Sequence, residues 1–114
     1  MGTKIDLNAD MGESFGPWVM GNDAGLLDIV TSANIACGFH AGDPDVMAQT
    51  MEMAVQKGVG IGCHPGFHDL QGFGRRKMHV PLPTLQNWIR YQLGASLSIA
   101  KAAGGTVRHL KIHG

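Results

Sequence analysis

Short apolar blocks alternate with polar, glycine-marked turns along the whole chain, and the spacing inside each block names its element. Lys4–Asn8 reads Lys-Ile-Asp-Leu-Asn, a period of two that predicts a first strand. A loop over Ala9–Pro17 follows. A short helix is expected from Asp23 to about Ile29, with Asn22 as its cap. Thr31–Ala36 reads as the second strand, and Cys37–Gly42 as a loop. Asp43-Pro44 is a helix start, because a capping carboxylate precedes a proline whose missing N–H costs nothing in the first turn. That helix is predicted to reach about Lys57, with Met47, Met51, Ala54 and Val55 on one face as core, and Gly58 stops it. Its cap is expected to hold the preceding loop, which carries His40.

Val59–Cys63 is short and continuously apolar, as a buried parallel strand is. A long loop is expected from His64 to about Val80. The last helix is predicted from Pro83 or Thr84 to Ala103, with Leu85, Trp88, Ile89, Gln92, Leu93, Ser96, Leu97 and Ala100 inward. Gly104-Gly105 ends it, and Thr106–Ile112 is the fourth strand. Strand and helix in alternation give an α/β fold built on a parallel sheet or barrel, expected as a single domain over residues 1–114.

Composition narrows the function classes. Nine basic and nine acidic residues leave no net charge, so no electrostatic footprint for nucleic acid or an anionic membrane exists. Hydrophobic residues make up 44%, enough for a core. No apolar run is long enough to span a bilayer, and the first residues carry no apolar signal core, so the expected compartment is the cytoplasm. Cys37 and Cys63 form no CxxC pattern and are expected as buried, reduced thiols.

The polar residues collect at strand ends. Asn8 and Asp10 follow the first predicted strand, Asn34 and His40 flank the end of the second, His64 follows the third and His113 the fourth. Parallel α/β folds bind ligands at the carboxyl ends of their strands, so these residues are expected to line one cleft. Histidine titrates near neutrality and serves as acid, base or metal ligand, and a carboxylate can orient it or hold a cation. No local metal motif such as HExxH is present. The loop Gln71–Arg76 combines two glycines with Arg75 and Arg76, whose planar forks suit carboxylate or phosphate. Neighbouring arginines on extended backbone point apart, so only one is expected to face the site.

Five stretches carry a resemblance. Asp6-Leu-Asn-Ala-Asp-Met-Gly-Glu-Ser-Phe-Gly16, Ser32–Pro44, His64-Pro-Gly-Phe67, Asp69–Arg76 and Lys111-Ile-His-Gly114 resemble the LamB/YcsF family, in order and over nearly the whole chain. The chain departs from the family pattern at Cys63, His68 and Ile112, and none of these departures removes a polar site residue. The resemblance implies an irregular, deacetylase-like β/α barrel. Family members run to roughly twice this length, so the chain is expected to supply the N-terminal half, with about four strands. It also implies the A subunit of an ATP-dependent 5-oxoprolinase, working with subunits B and C to open 5-oxo-L-proline to L-glutamate. ATP and Mg²⁺ are the expected cofactors, another divalent metal and homo-oligomerisation being left open.

Under that resemblance Asp10, His113 and His64 are the expected catalytic residues. Asn8, Asn34, His40, Arg75 and Arg76 are expected to bind substrate or nucleotide, and Asp10, Glu13, His40 and His64 to hold a metal. Two other readings stay open: a metal-dependent hydrolase of N-acyl or carbohydrate substrates that needs no ATP, and a non-catalytic module that binds a small carboxylate.

Overall fold

A computed structural model describes residues 2–114. Four strands form one sheet in the order β1-β2-β3-β4, every pair parallel. Consecutive parallel neighbours joined by helices are the arrangement of strands in a β/α barrel. The elements are β1 (Asn8–Met11), α1 (Asp23–Leu27), β2 (Ser32–Ala36), α2 (Pro44–Gln56), β3 (Gly60–His64), α3 (Leu82–Ala102) and β4 (Val107–Leu110).

The first strand lies later than its alternation predicts. Residues Asn8–Met11 pair with Ser32–Ile35, whereas Ile5 is 82% exposed. Alternation marks a segment fit for a sheet, but a ladder needs a partner, and β2 begins only at Ser32. Before that point Leu7 lends its carbonyl to the Thr31 and Ser32 amides, and Asp6 takes their hydroxyls. β3 starts and ends one residue later than expected, so His64 belongs to the strand and not to the loop. β4 stops at Leu110, short of the expected Ile112, although Lys111 and His113 still donate to Cys63 and Pro65 carbonyls at 2.9 Å.

The period of two sorts the sheet into two faces. Met11, Ala33, Ile35, Ile61 and Cys63 point to the helices and pack with Leu27, Met47, Met51, Ala54 and Ala100. Asn8, Asp10, Ser32, Asn34, Gly60, Gly62 and His64 alternate with them and so take the other face. Between β3 and β4 the register slips at Ile61/Gly62, pairing Ile61 with Val107 and Gly62 with His109. One extra residue, Arg108, lets both Val107 reach the core and His109 reach the polar face.

The capping signals act as expected. The Asn22 side chain accepts from the Gly25 amide, and Asp43 accepts from the Val46 amide at 2.9 Å. The second Asp43 oxygen accepts from the Gly16 amide at 2.8 Å, so the cap ties α2 to the loop after β1 as well. Along α3 the buried line is Gln92, Ser96 and Ala100, small or polar residues that let the helix approach β3 closely. Leu97, expected inward, is half exposed, because it lies one residue past the line at four-residue spacing. Cys37 and Cys63 are free buried thiols with Sγ atoms 3.5 Å apart. The hydrogen bond to Cys63, then burial, pushes the Cys37 thiol far up. Among the described residues no helix is long and apolar enough to cross a membrane.

Candidate functional site

The carboxyl ends of the strands bring a carboxylate and three imidazoles together. Asp10 comes from β1, His40 from the loop after β2, His64 from the last position of β3, and His113 from the segment after β4. The His40 and His113 rings stack in parallel, centroids 3.8 Å apart at 6°. His64 meets both edge-on at 5.2 Å. All three are buried.

Each ring is oriented by an acceptor. His64 Nδ1 donates to the Lys111 carbonyl at 2.7 Å, and His113 Nε2 to the Phe73 carbonyl at 2.7 Å. His40 Nε2 donates to Glu13 at 2.8 Å. A carbonyl only accepts, so the proton of His64 sits on Nδ1 and its Nε2 is a bare lone pair. That Nε2 is buried without a hydrogen-bond partner, with Asp10 Oδ2 3.5 Å away. Burial pushes the His64 and His113 pKa values below the ordinary 6.5, outweighing the carbonyls that would raise them. Both rings are therefore neutral at pH near 7.

Local backbone supports this packing. A Cβ on Gly66 would lie 2.5 Å from His40 Nδ1, and one on Gly74 would lie 2.6 Å from His40 Cβ. Only glycine lets the loop close over the His40 ring at these two points. Phe73 between them adopts a left-handed φ of 55°, rare for a side chain of its size, and this turn aims its carbonyl at His113. Gln92 reaches from α3 to bind the Gly66 amide and carbonyl at 2.9 and 3.0 Å, which pins the start of the same loop.

Asp10 sits in a polar network. Its two oxygens accept from Lys111 Nζ at 2.9 and 3.0 Å, and Asn34 Nδ2 donates to it at 3.1 Å. Burial pushes the Asp10 carboxyl up, but Lys111, His64 and Asn34 together hold it below its ordinary value. Asn34 also donates to Asn8 at 2.9 Å and accepts from His109 Nε2 at 2.6 Å. Asn8 opens β1 and does not follow it, so it lies deeper in the face than expected and supports Asn34.

The two arginines divide. Arg76 forks onto Asp69, a buried carboxylate that also accepts from the Gly72 amide at 3.0 Å. Arg76, expected to bind a ligand, here closes its own loop through Nε and Nη2. Arg75 is exposed and lies over the Phe73 ring at 5.1 Å, on the residue whose carbonyl holds His113.

Glu13, His40, His64 and His113 each offer a ligand atom within 4.8 Å of the others. The stack of His40 on His113 limits which of these could share one ion, and it does not separate Asp10, Glu13, His40 and His64, the residues expected to hold a cation. A metal ion lies in the plane of each imidazole that binds it, at about 2.0–2.1 Å for zinc. Parallel rings 3.8 Å apart cannot both aim in-plane lone pairs at one ion. Glu13 is engaged by His40, and both Asp10 oxygens by Lys111.

Lys111 and His109 are the polar participants that strand-end logic passes over. Their signal is the alternation His109, Lys111, His113, which places one polar residue at every second position of the last segment. Chemically, His64 Nε2 and Asp10 Oδ2 are two acceptors side by side, each able to receive a proton.

The chain is 71% identical over 112 residues to a protein of Ruegeria pomeroyi named as the A subunit of 5-oxoprolinase, covering 98% of the chain and 44% of that relative. A protein of the same name from Methylococcus capsulatus is 60% identical over 114 residues, covering all of the chain and 44% of the relative. The crystal structure of a lactam utilization protein from Thermus thermophilus superposes with a TM-score of 0.95 at 45% identity, over 98% of this chain and 45% of that one. The chain thus spans less than half the length of the relatives it matches. Residues 5–114 match the LamB/YcsF family, and it is to this family that the chain belongs.

Proposed function

We propose that the chain provides the N-terminal part of the A subunit of a 5-oxoprolinase, which opens 5-oxo-L-proline to L-glutamate as ATP is hydrolysed to ADP and phosphate. The names carried by the Ruegeria and Methylococcus relatives support the reaction, and the word subunit in those names supports companion chains, here subunits B and C. The single observation that carries the chemistry is the bare, buried Nε2 of His64 beside the Asp10 carboxylate.

A five-membered lactam is a resonance-stabilised amide, and its carbonyl resists water. ATP, when bound, supplies the activation by phosphorylating the lactam oxygen. The residues of this chain do the rest of the work around the ring. Neutral His64 takes a proton from the attacking water at Nε2, while Asp10 holds the second hydrogen of that water. The proton that His64 takes up is then returned to the departing ring nitrogen, while His113, neutral and with its one N–H given to the Phe73 carbonyl, packs against His40 and His64 to hold them in place. Glu13 keeps His40 fixed against His113, so that the ring cannot turn away. Arg75, free of carboxylate partners among the described residues, takes an anionic group of substrate or nucleotide.

The test is glutamate release from 5-oxoproline by the intact protein assembled with its companion subunits, with and without ATP. ATP-dependent glutamate is the expected result, lost in His64→Gln. Turnover of an N-acyl substrate without ATP, abolished by a chelator, would instead favour the metal-dependent hydrolase.

A further inference from the structure

Two catalytic groups on different strands are both anchored by one residue that lies outside the expected site. The Lys111 ammonium bonds both oxygens of Asp10, at 2.9 and 3.0 Å. The Lys111 carbonyl accepts the Nδ1 proton of His64 at 2.7 Å. The Lys111 amide donates to the Cys63 carbonyl at 2.9 Å, which locks this backbone beside the residue preceding His64. We infer that Lys111 is the resident cation of the site, a positioning residue that holds Asp10 and His64 in register in the place a metal ion would take.

Physical chemistry favours an ammonium here. Asp10 faces Lys111 from the segment after β4, His64 from β3 and Asn34 from β2. Of these only Lys111 carries a permanent positive charge, because His64 is neutral. A carboxylate beside a bare imidazole lone pair is a repulsive pair of acceptors unless a cation offsets it. Lys111 does so without engaging His64 Nε2, since it grips Asp10 from its own side chain and His64 Nδ1 through its main chain. A metal ion bridging Asp10 and His64 would have to displace the ammonium from Asp10 and would take up the Nε2 lone pair that the base uses. Lys111 has three donors and commits two of them to Asp10, so its geometry is set by the carboxylate.

The kinetic arm of the test rests on the 5-oxoprolinase reading; the other two arms do not. In the assembled enzyme Lys111→Met should lower kcat by about 100-fold or more and leave KM for 5-oxoproline within about threefold. The acid limb of its kcat profile should move to higher pH, because His64, the base, loses the nearby positive charge that lowers it. Lys111→Arg keeps a cation and should return that limb towards its wild-type position. Both variants retain the backbone carbonyl, and circular dichroism checks that they fold. Without any substrate, the Asp10 side-chain carboxyl, followed by carbon NMR in the intact protein, should titrate at higher pH in Lys111→Met than in wild type. Cobalt(II) added to wild type should give no one-to-one visible spectrum that Asp10→Asn or His64→Gln removes. A Lys111→Met enzyme with wild-type kcat and acid limb, an unmoved Asp10 titration, or such a cobalt spectrum each overturns the inference. A wild-type complex that releases no glutamate sinks the functional reading instead, and the NMR and cobalt arms still judge Lys111.

Discussion

His40 is 1% exposed and is touched on every side: the His113 ring on one face, the His64 ring at its edge, Glu13 at Nε2 and the Gly66 backbone near Nδ1. Such a position tolerates no added atom unless a neighbour moves. Gly66 cannot retreat, because Gln92 bonds both its amide and its carbonyl. Gly66→Ala should therefore cost about 1–3 kcal/mol, the usual range for overpacking. The denaturant midpoint of the intact protein measures this, and glutamate release should fall with it. An unchanged midpoint would mean that the loop has slack and that the imidazole stack is not held by this contact.

At the level of elements, the loops are fastened to helices by side chains with two jobs. Asp43 caps α2 with one oxygen and holds the Gly16 amide with the other. Asp43→Ala should cost about 1–2 kcal/mol, read as a lower denaturant midpoint. Asp43→Asn keeps one acceptor oxygen and should fall between the two; an asparagine as damaging as alanine would show that charge, not geometry, matters. In the loop between β3 and α3 the two arginines should separate by assay. Arg76→Lys loses the fork on Asp69 and should lower the melting temperature while leaving kinetics unchanged. Arg75→Lys should raise KM for 5-oxoproline or ATP several-fold with little change in melting temperature. If both replacements leave the kinetics untouched, the loop carries no anion site.

For the whole molecule, the buried imidazoles set a pH dependence. In the unfolded chain His64 and His113 titrate near the ordinary 6.5, and in the folded protein burial pushes them lower. Between those values the unfolded chain binds more protons, so stability is fully present above about pH 6.5 and is lost as pH falls towards the folded values. Asp10 adds a second loss at lower pH: its folded pKa lies below 3.8, so its contribution holds above 3.8 and disappears as pH falls through the folded value. Denaturant midpoints taken from about pH 8 down to about pH 5 should decline, and His64→Gln should flatten the slope. A flat wild-type profile would mean that the two rings are not neutral in the folded state.

Element types and their punctuation were written locally. Asn22 and Asp43-Pro44 announced helix starts, Gly58 and Gly104-Gly105 their ends, and the continuous apolar run of Val59–Cys63 its strand, because caps, stops and apolar periods act over a few residues. Strand-end placement also pointed to Asp10, His40, His64 and His113, since a parallel sheet sends every carboxyl end the same way. The start of β1 was not legible, because a strand exists only where a partner offers a ladder, and for Asn8–Met11 that partner is 24 residues away along the chain. Nor was the work of Lys111, which depends on a register slip between β3 and β4 that turns His109 and Lys111 to the polar face. The stacking of His40 on His113, which bars both from one metal ion, arises from contacts between a loop after β2 and a segment after β4. Residue types near strand ends are a property of the chain; which acid meets which base, and at what angle, is a property of distances in space, and only packing sets those.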